Sequence, residues 1–200
     1  GSEKAIEQLI PLLKDSDPDV RRTAAYAVGK TGSEKAIEQL IPLLKDSDPH
    51  VRYSAAYALG KIASEKAIEG LIPLLKDSDK YVRSRAACVL GEIGSEKATE
   101  GLIPLLKDSD YDVRKNAASA LGKIGSEKAI EGLIPHLKNS DSSVRREAAF
   151  ALGKISSETA IEQLIPLLKD SDSSVRSNAA KDLGEIGSEK AIEGLIPLLK

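Results

Sequence analysis

Residues 1–31 read GSEKAIEQLIPLLKDSDPDVRRTAAYAVGKT, and the pattern begins again at Gly32, Ala63, Gly94, Gly125 and Ser156. A seventh copy starts at Gly187 and runs to Lys200. A fixed period of this length marks a stack of one supersecondary unit. Each unit reads as two helices. The first follows Ser2 as its N-cap and carries Ile6, Leu9, Ile10 and Leu13 at helical spacing. Pro11 lies inside it, removes one backbone hydrogen bond and is expected to bend it. Gly70, Gly101, Gly132 and Gly194 stand at the position of Gln8. Glycine there costs roughly 1 kcal/mol against alanine, so tertiary packing must hold this helix. The turn Lys14-Asp15-Ser16-Asp17 leads to a second helix, capped by Asp17 with Pro18 at its first position. Val20, Ala24, Ala27, Val28 and Thr31 form its apolar side, and Gly32 ends the unit.

A single hairpin of this kind cannot bury its apolar stripe. Stacked neighbours bury it as a continuous core, which predicts an all-α fold, an α-solenoid or superhelix of 31-residue helix-turn-helix repeats. Ala24, Ala25 and Gly29 leave room for the second helices to approach closely. No linker or shift of composition interrupts the chain, so residues 1–200 are expected to form one continuous array.

Composition removes several function classes. Lys and Arg total 29 against 31 Asp and Glu, a net charge of −2 that gives no general drive toward nucleic acid or anionic membrane. One cysteine cannot form a disulfide framework or a cysteine-based zinc site. No apolar run approaches the roughly 18 residues of a membrane span. No basic-apolar leader opens the sequence, and a cytoplasmic location is expected. The chain contains no Met. It is therefore expected to be an excised or engineered piece, although the leading Gly-Ser is also the repeat's own opening.

The pattern D-x-x-V-R-x-x-A-A-x-A-L-G-x-I, with proline in the first helix, resembles HEAT repeats of the phycobilisome-lyase-like type and the artificial alphaRep scaffolds built from them. The resemblance covers the whole chain. It implies that second helices line a concave face, and that turn aspartates and second-helix arginines form a polar ladder between repeats. In this sequence those are Asp15, Asp46, Asp77, Asp108 and Asp170, with Arg21, Arg52, Arg83, Arg114, Arg145 and Arg176. The fifth repeat has Asn139 in place of the aspartate. A neutral amide replaces a charge-assisted partner, so the ladder should weaken there.

Comparing the units isolates six freely changing positions, all in the second helix: Pro18, Asp19, Arg22, Thr23, Tyr26 and Lys30 in unit one. At helical spacing they occupy an arc of about 140°, separate from the apolar arc. Tyr26, Tyr53, Tyr57, Tyr81, Tyr111 and Phe150 are all the aromatics of the chain, and every one falls in these rows. Tyrosine offers large contact area at low entropic cost and keeps a polar tip. Drift would also have varied the exposed first-helix positions Glu3, Lys4, Glu7 and Lys14, which hardly change. The rows hold Arg22, Lys30, Lys61, Lys80, Arg85, Lys115, Lys123, Arg146, Lys154 and Lys181 against Asp19, Glu92, Asp112, Glu147 and Glu185. A mildly basic face favours an acidic partner. Nucleic-acid grooves carry denser Lys and Arg, so nucleic acid is not expected.

No catalytic constellation is found. His50 lies in a variable row and His136 replaces a first-helix leucine, in different repeats and different helices. They do not form the clustered ligand set of a metal or acid–base site. Cys88 shares the row of Tyr26 and Tyr57, where a thiol can form intermolecular disulfides. The glycines mark repeat ends rather than a phosphate loop. No metal and no cofactor are expected. Irregular framework residues (Thr31, Ala63, Thr99, His136, Asn139, Ser156, Thr159 and Asp182) favour a natural array, or an engineered excerpt of one, over an idealised design. The first and last units lack polar caps, so exposed apolar ends and end-to-end self-association are expected. The sequence thus reads as a non-enzymatic protein-binding scaffold. Its anchors are the six aromatics, and Arg22, His50, Arg85, Lys115 and Arg146 are its polar contacts. The alternatives are a phycobilin-lyase-like subunit, a nucleic-acid groove, and a repeat arm of a larger signalling or NTPase protein or engineered scaffold.

Overall fold

A computed structural model describes residues 2–196, and every element among them is helical. The chain resolves into two compact units, Gly1–Ala98 and Thr99–Lys200. The division falls within the first helix of the fourth repeat, between Glu96–Ala98 and Thr99–Leu102.

In the first unit the second helices are Pro18–Lys30, Pro49–Ile62 and Lys80–Ile93. The aspartate before each accepts backbone N–H bonds as an N-cap: Asp17 from Asp19, Asp48 from His50 and Val51, Asp79 from Tyr81 and Val82. Ser64 caps the third repeat's first helix through Ala67, whereas Ser33 makes no such bond. The side chain of Ser2 lies outside the described residues. Proline does more than bend these first helices. From Ile10, Ile41 and Ile72 onward each winds as a 3-10 helix to the following lysine. The missing N–H breaks the α-type ladder, and the chain closes with shorter-range bonds such as Asp15 N–H to the Leu12 carbonyl at 3.3 Å. Leu40, Leu59, Leu71, Leu75 and Leu90 are completely buried between the repeats. A Cβ added to Gly29 would lie 2.4 Å from the Ala58 Cβ, so this glycine lets neighbouring second helices meet backbone to side chain.

The second unit repeats the plan with Tyr111–Ile124, Ser142–Ile155 and Ser173–Ile186 around buried Leu102, Leu121, Leu133, Leu152, Leu164 and Leu183. The expected last helix appears as Glu189–Leu195, and residues 197–200 lie outside the described residues. The glycines that weaken first helices have a packing reason. A Cβ on Gly132 would lie 2.1 Å from Ile103 Cδ1, and one on Gly194 would lie 2.7 Å from Ile165 Cγ1. Second helices end in left-handed residues, a conformation that favours glycine. Gly125 and Gly187 suit it, whereas Ser156 adopts φ 54° with a side chain.

Arginine and aspartate tie consecutive turns together within each unit. Arg21 donates Nε–H to Asp46 at 2.7 Å and a second N–H at 2.9 Å, while its other terminal nitrogen holds the Asp15 and Ser16 carbonyls of its own turn. Arg52 with Asp77 and Arg145 with Asp170 repeat this geometry. The arginine hydrogen bonds hold the Asp46 and Asp170 carboxyls below their usual range. For Asp77 burial works the other way, but the Arg52 and backbone bonds outweigh it. Arg83 and Arg176 hold their own turn carbonyls at 2.7–3.0 Å. Arg114 keeps its bonds to the Asp108 and Ser109 carbonyls, but its Nε is buried without a partner because Asn139 offers no carboxylate.

Two other framework residues carry visible costs. Asp182 occupies the row of Ala27 and Ala151, is 5% exposed, and has Oδ2 without a hydrogen bond. Its carboxyl rests on Gly153, where an added Cβ would lie 2.6 Å from Asp182 Cγ. Burial, aided by Glu185 and opposed by Lys154 and Lys181, pushes this carboxyl up to about 6. Thr99 replaces the isoleucine of the Ile6 row and is fully buried with its hydroxyl unpaired. His136 is accommodated differently. Its Nδ1–H donates to the Gly132 carbonyl at 3.0 Å, and burial lowers its pKa.

Asn139→Asp is expected to complete the rung to Arg114 and stabilise the chain by about 1–3 kcal/mol in urea denaturation at pH 7. Asp182→Ala is expected to stabilise it by about 2–3 kcal/mol at pH 7. The sign follows from a folded-state pKa raised above the unfolded value. Stability from the neutral acid is complete below about pH 4 and is lost as pH rises through about 6. The ladder aspartates have depressed values, so they lose stability only as pH falls below about 4. Asp182 should therefore add stability from pH 7 to pH 5, while His136, whose pKa burial lowers, works in the opposite direction. Asp182→Ala should remove that gain, and an unchanged pH dependence in the variant would contradict the assignment.

Candidate binding face

The second helices place their variable rows away from the buried leucines. In the first unit Tyr26, with 43% of its surface exposed, stacks on half-buried Tyr57 at 5.4 Å between ring centroids and 18° between planes. Lys30 lies 5.0 Å over the Tyr26 ring and Lys61 lies 5.2 Å over the Tyr57 ring. The Arg85 guanidinium stands 4.4 Å from the Tyr53 ring and 5.5 Å from the Tyr57 ring, and donates to the Tyr53 hydroxyl. The attraction of cations to aromatic faces holds these long side chains along the surface. Between the first two second helices lies a cleft of about 480 Å³, lined by Arg22, Thr23, Tyr26, His50, Tyr53 and Ser54. Tyr81 is exposed further along, with Lys80 5.1 Å over its ring. Cys88 is half-buried and its thiol donates to Glu92 at 3.6 Å.

In the second unit Tyr111 is exposed, with the Arg114 and Arg146 guanidinium groups each 5.7 Å from its ring. Phe150 is half-buried, with Lys154 5.4 Å over it, and Lys115 is exposed. Two acids of these rows, Glu147 and Glu185, are taken up by cations. Arg146 pairs with Glu147 at 3.2 Å, and Glu185 pairs with Lys181 at 3.6 Å and Lys154 at 3.7 Å.

Two sequence inferences need amendment. The variable rows are not wholly exposed: Ser54 and Glu147 are buried, because their row faces the adjacent second helix. The constancy of exposed first-helix charges also has a structural cause. Lys66 donates to Glu38, Lys97 to Glu65, Lys128 to Glu100, and Lys190 to Glu158 and Glu162 of the preceding repeat. These rungs link residues 28 or 32 apart, a spacing close to the repeat length that could have revealed them. The contrast between constant and variable surfaces therefore rests on where the aromatics gather.

Apolar surface also remains open at two places. In the first unit Leu12 is 40% exposed beside a cleft of about 350 Å³ that also involves Leu9, Val20, Ala24 and Ala27. In the second, Ile192 and Ile196 are exposed. No helix among the described residues is long and apolar enough to cross a membrane.

The family model described as HEAT repeats matches residues 6–76, 68–144 and 130–200. No curated protein matches the chain. Among solved structures, an engineered protein is similar at 28% identity over 95% of this chain and 97% of its own, with a TM-score of 0.62. The complex of CpcE and CpcF of phycocyanin lyase from Nostoc sp. PCC7120 gives 32% identity over 95% of this chain and 80% of that one, with a TM-score of 0.63. A designed armadillo repeat protein in complex with the peptide (KR)4 gives 24% identity, 94% and 98% coverage and a TM-score of 0.61, a likeness of fold.

Proposed function

The chain belongs to the HEAT-repeat family, and from that premise we propose that it is a non-enzymatic scaffold whose second-helix face binds a protein partner. The observation that carries this reading is the cluster of Tyr26, Tyr53 and Tyr57, of which Tyr26 and Tyr53 line an open cleft, on a framework whose other surfaces repeat. Phenol rings supply contact area with few rotatable bonds, and their hydroxyls supply adaptable hydrogen bonds. What the cluster offers is recognition chemistry, and the reading requires no cofactor or metal. Tyr81, Tyr111 and Phe150 extend the anchors, with Arg22, His50, Arg85, Lys115 and Arg146 as polar contacts. The lyase-like alternative rests on the likeness to the CpcE–CpcF complex, and no feature of the cleft favours it.

The test is selection of binders from a random peptide library on the intact chain. Binders are then measured against the triple variant Tyr26→Ala, Tyr53→Ala, Tyr57→Ala, with circular dichroism to check folding. The variant is expected to lose about 100-fold in affinity, since buried tyrosines count among interface hot spots. Binders that hold the folded variant equally well would sink the proposal.

The exposed Leu12 cleft and the exposed Ile192 and Ile196 support a second element of the same proposal, association of copies through these faces. Sedimentation at rising concentration should show a growing mean mass that falls back in Leu12→Glu. A constant monomer mass would remove this element.

A further inference from the structure

We infer that the first unit's cleft takes an extended acidic segment in which two carboxylates flank an apolar side chain, as in Glu-X-Φ-X-Glu. This rests on the second-helix face being the binding face. The cleft walls are Tyr26 and Tyr53 with Thr23 and Ser54, and Arg22 and His50 complete its lining. Lys30 and Lys61 stand one helical turn beyond Tyr26 and Tyr57, over the outer part of the same stacked pair. Eight residues separate Arg22 from Lys30, about 12 Å along the helix axis. The cleft and the stacked pair beside it thus form an aromatic strip with Arg22 and His50 at one end and Lys30 and Lys61 at the other.

An extended chain covers about 13 Å in four residues, and its residues i, i+2 and i+4 share one face. Two glutamates four apart therefore reach both rims while the residue between them meets the phenol rings. The charge balance points the same way. The variable rows of this unit hold Arg22, Lys30, Lys61, Lys80 and Arg85 against Asp19 and Glu92. Asp19 holds Arg22 only through an exposed pair at 3.1 Å, which an incoming carboxylate can replace at little cost. In the second unit Glu147 already occupies Arg146 beside Tyr111 and Glu185 occupies Lys154 beside Phe150, so the same ligand finds less free charge at those side chains. A nucleic acid fits less well, because a phosphate chain needs denser cations than two short rims.

The test titrates the peptide acetyl-GEAFAEG-amide into the full chain and follows backbone amide shifts. Parallel titrations use the Gln counterpart GQAFAQG, the Lys counterpart GKAFAKG, the respaced GEEFAAG and an oligothymidylate of twelve nucleotides. The Glu peptide is expected to shift amides of Pro18–Lys30 and Pro49–Ile62, and to bind about tenfold more tightly than the Gln and respaced peptides. Arg22→Gln and Lys61→Gln should each reduce its affinity about three- to tenfold, with added salt acting in the same direction. Equal binding of the Glu and Gln peptides, absence of Glu-peptide binding, or tighter binding of the Lys peptide or the oligothymidylate would overturn the inference. If the Gln peptide binds as well and Tyr26→Ala abolishes both, the binding face stands and only its acidic preference fails. Shifts confined to the first helices would instead remove the face itself.

Discussion

Within each unit, an arginine that bonds two turns at once fixes how one repeat follows another. Arg21, Arg52 and Arg145 each close the loop of their own repeat through backbone carbonyls and reach the next repeat's aspartate with two N–H bonds. The planar guanidinium fork allows this, and a lysine would not reproduce it. The pairs are largely shielded from water, so removing one partner would leave the other charge without its hydrogen-bonded counterpart. The apolar contacts supply most of the driving force, and they are nearly identical from repeat to repeat. The rung is directional and admits one alignment. Cleft, aromatic cluster and first-helix ion pairs all follow from that alignment.

The places where this order fails are informative. Asn139 leaves Arg114 with a buried, unpaired Nε, Asp182 puts a carboxyl where other repeats have a small apolar side chain, and Thr99 buries a hydroxyl without a partner. All three lie in the second unit. The first unit keeps two complete rungs and the stacked tyrosine pair. In the first unit the Nε of Arg85, beside Tyr53, is likewise buried without a partner.

Much of this was legible in the residues. The period, the caps at Asp17 and Asp48 and the separation of core from variable rows follow from helical geometry alone, and the structure agrees with them. The weak rung at Asn139 was legible too, because charge is a property of the residue. The 3-10 winding after each proline was not, since a lost hydrogen bond does not say whether the chain bends or tightens. Nor were the lysine–glutamate rungs, which join helices of different repeats.

By itself the sequence determined the repeat, the all-α class and the rows that carry every aromatic, because these depend on spacing along one chain. Only the tertiary structure decided which of those side chains meet. It stacks Tyr26 on Tyr57, lays Arg85 across Tyr53, buries Ser54 and Glu147, and brings Lys154 to Glu185. The reason is distance. Neighbours in these clusters lie about a full repeat apart in sequence, and only the packing of one second helix on the next brings them within a few ångströms.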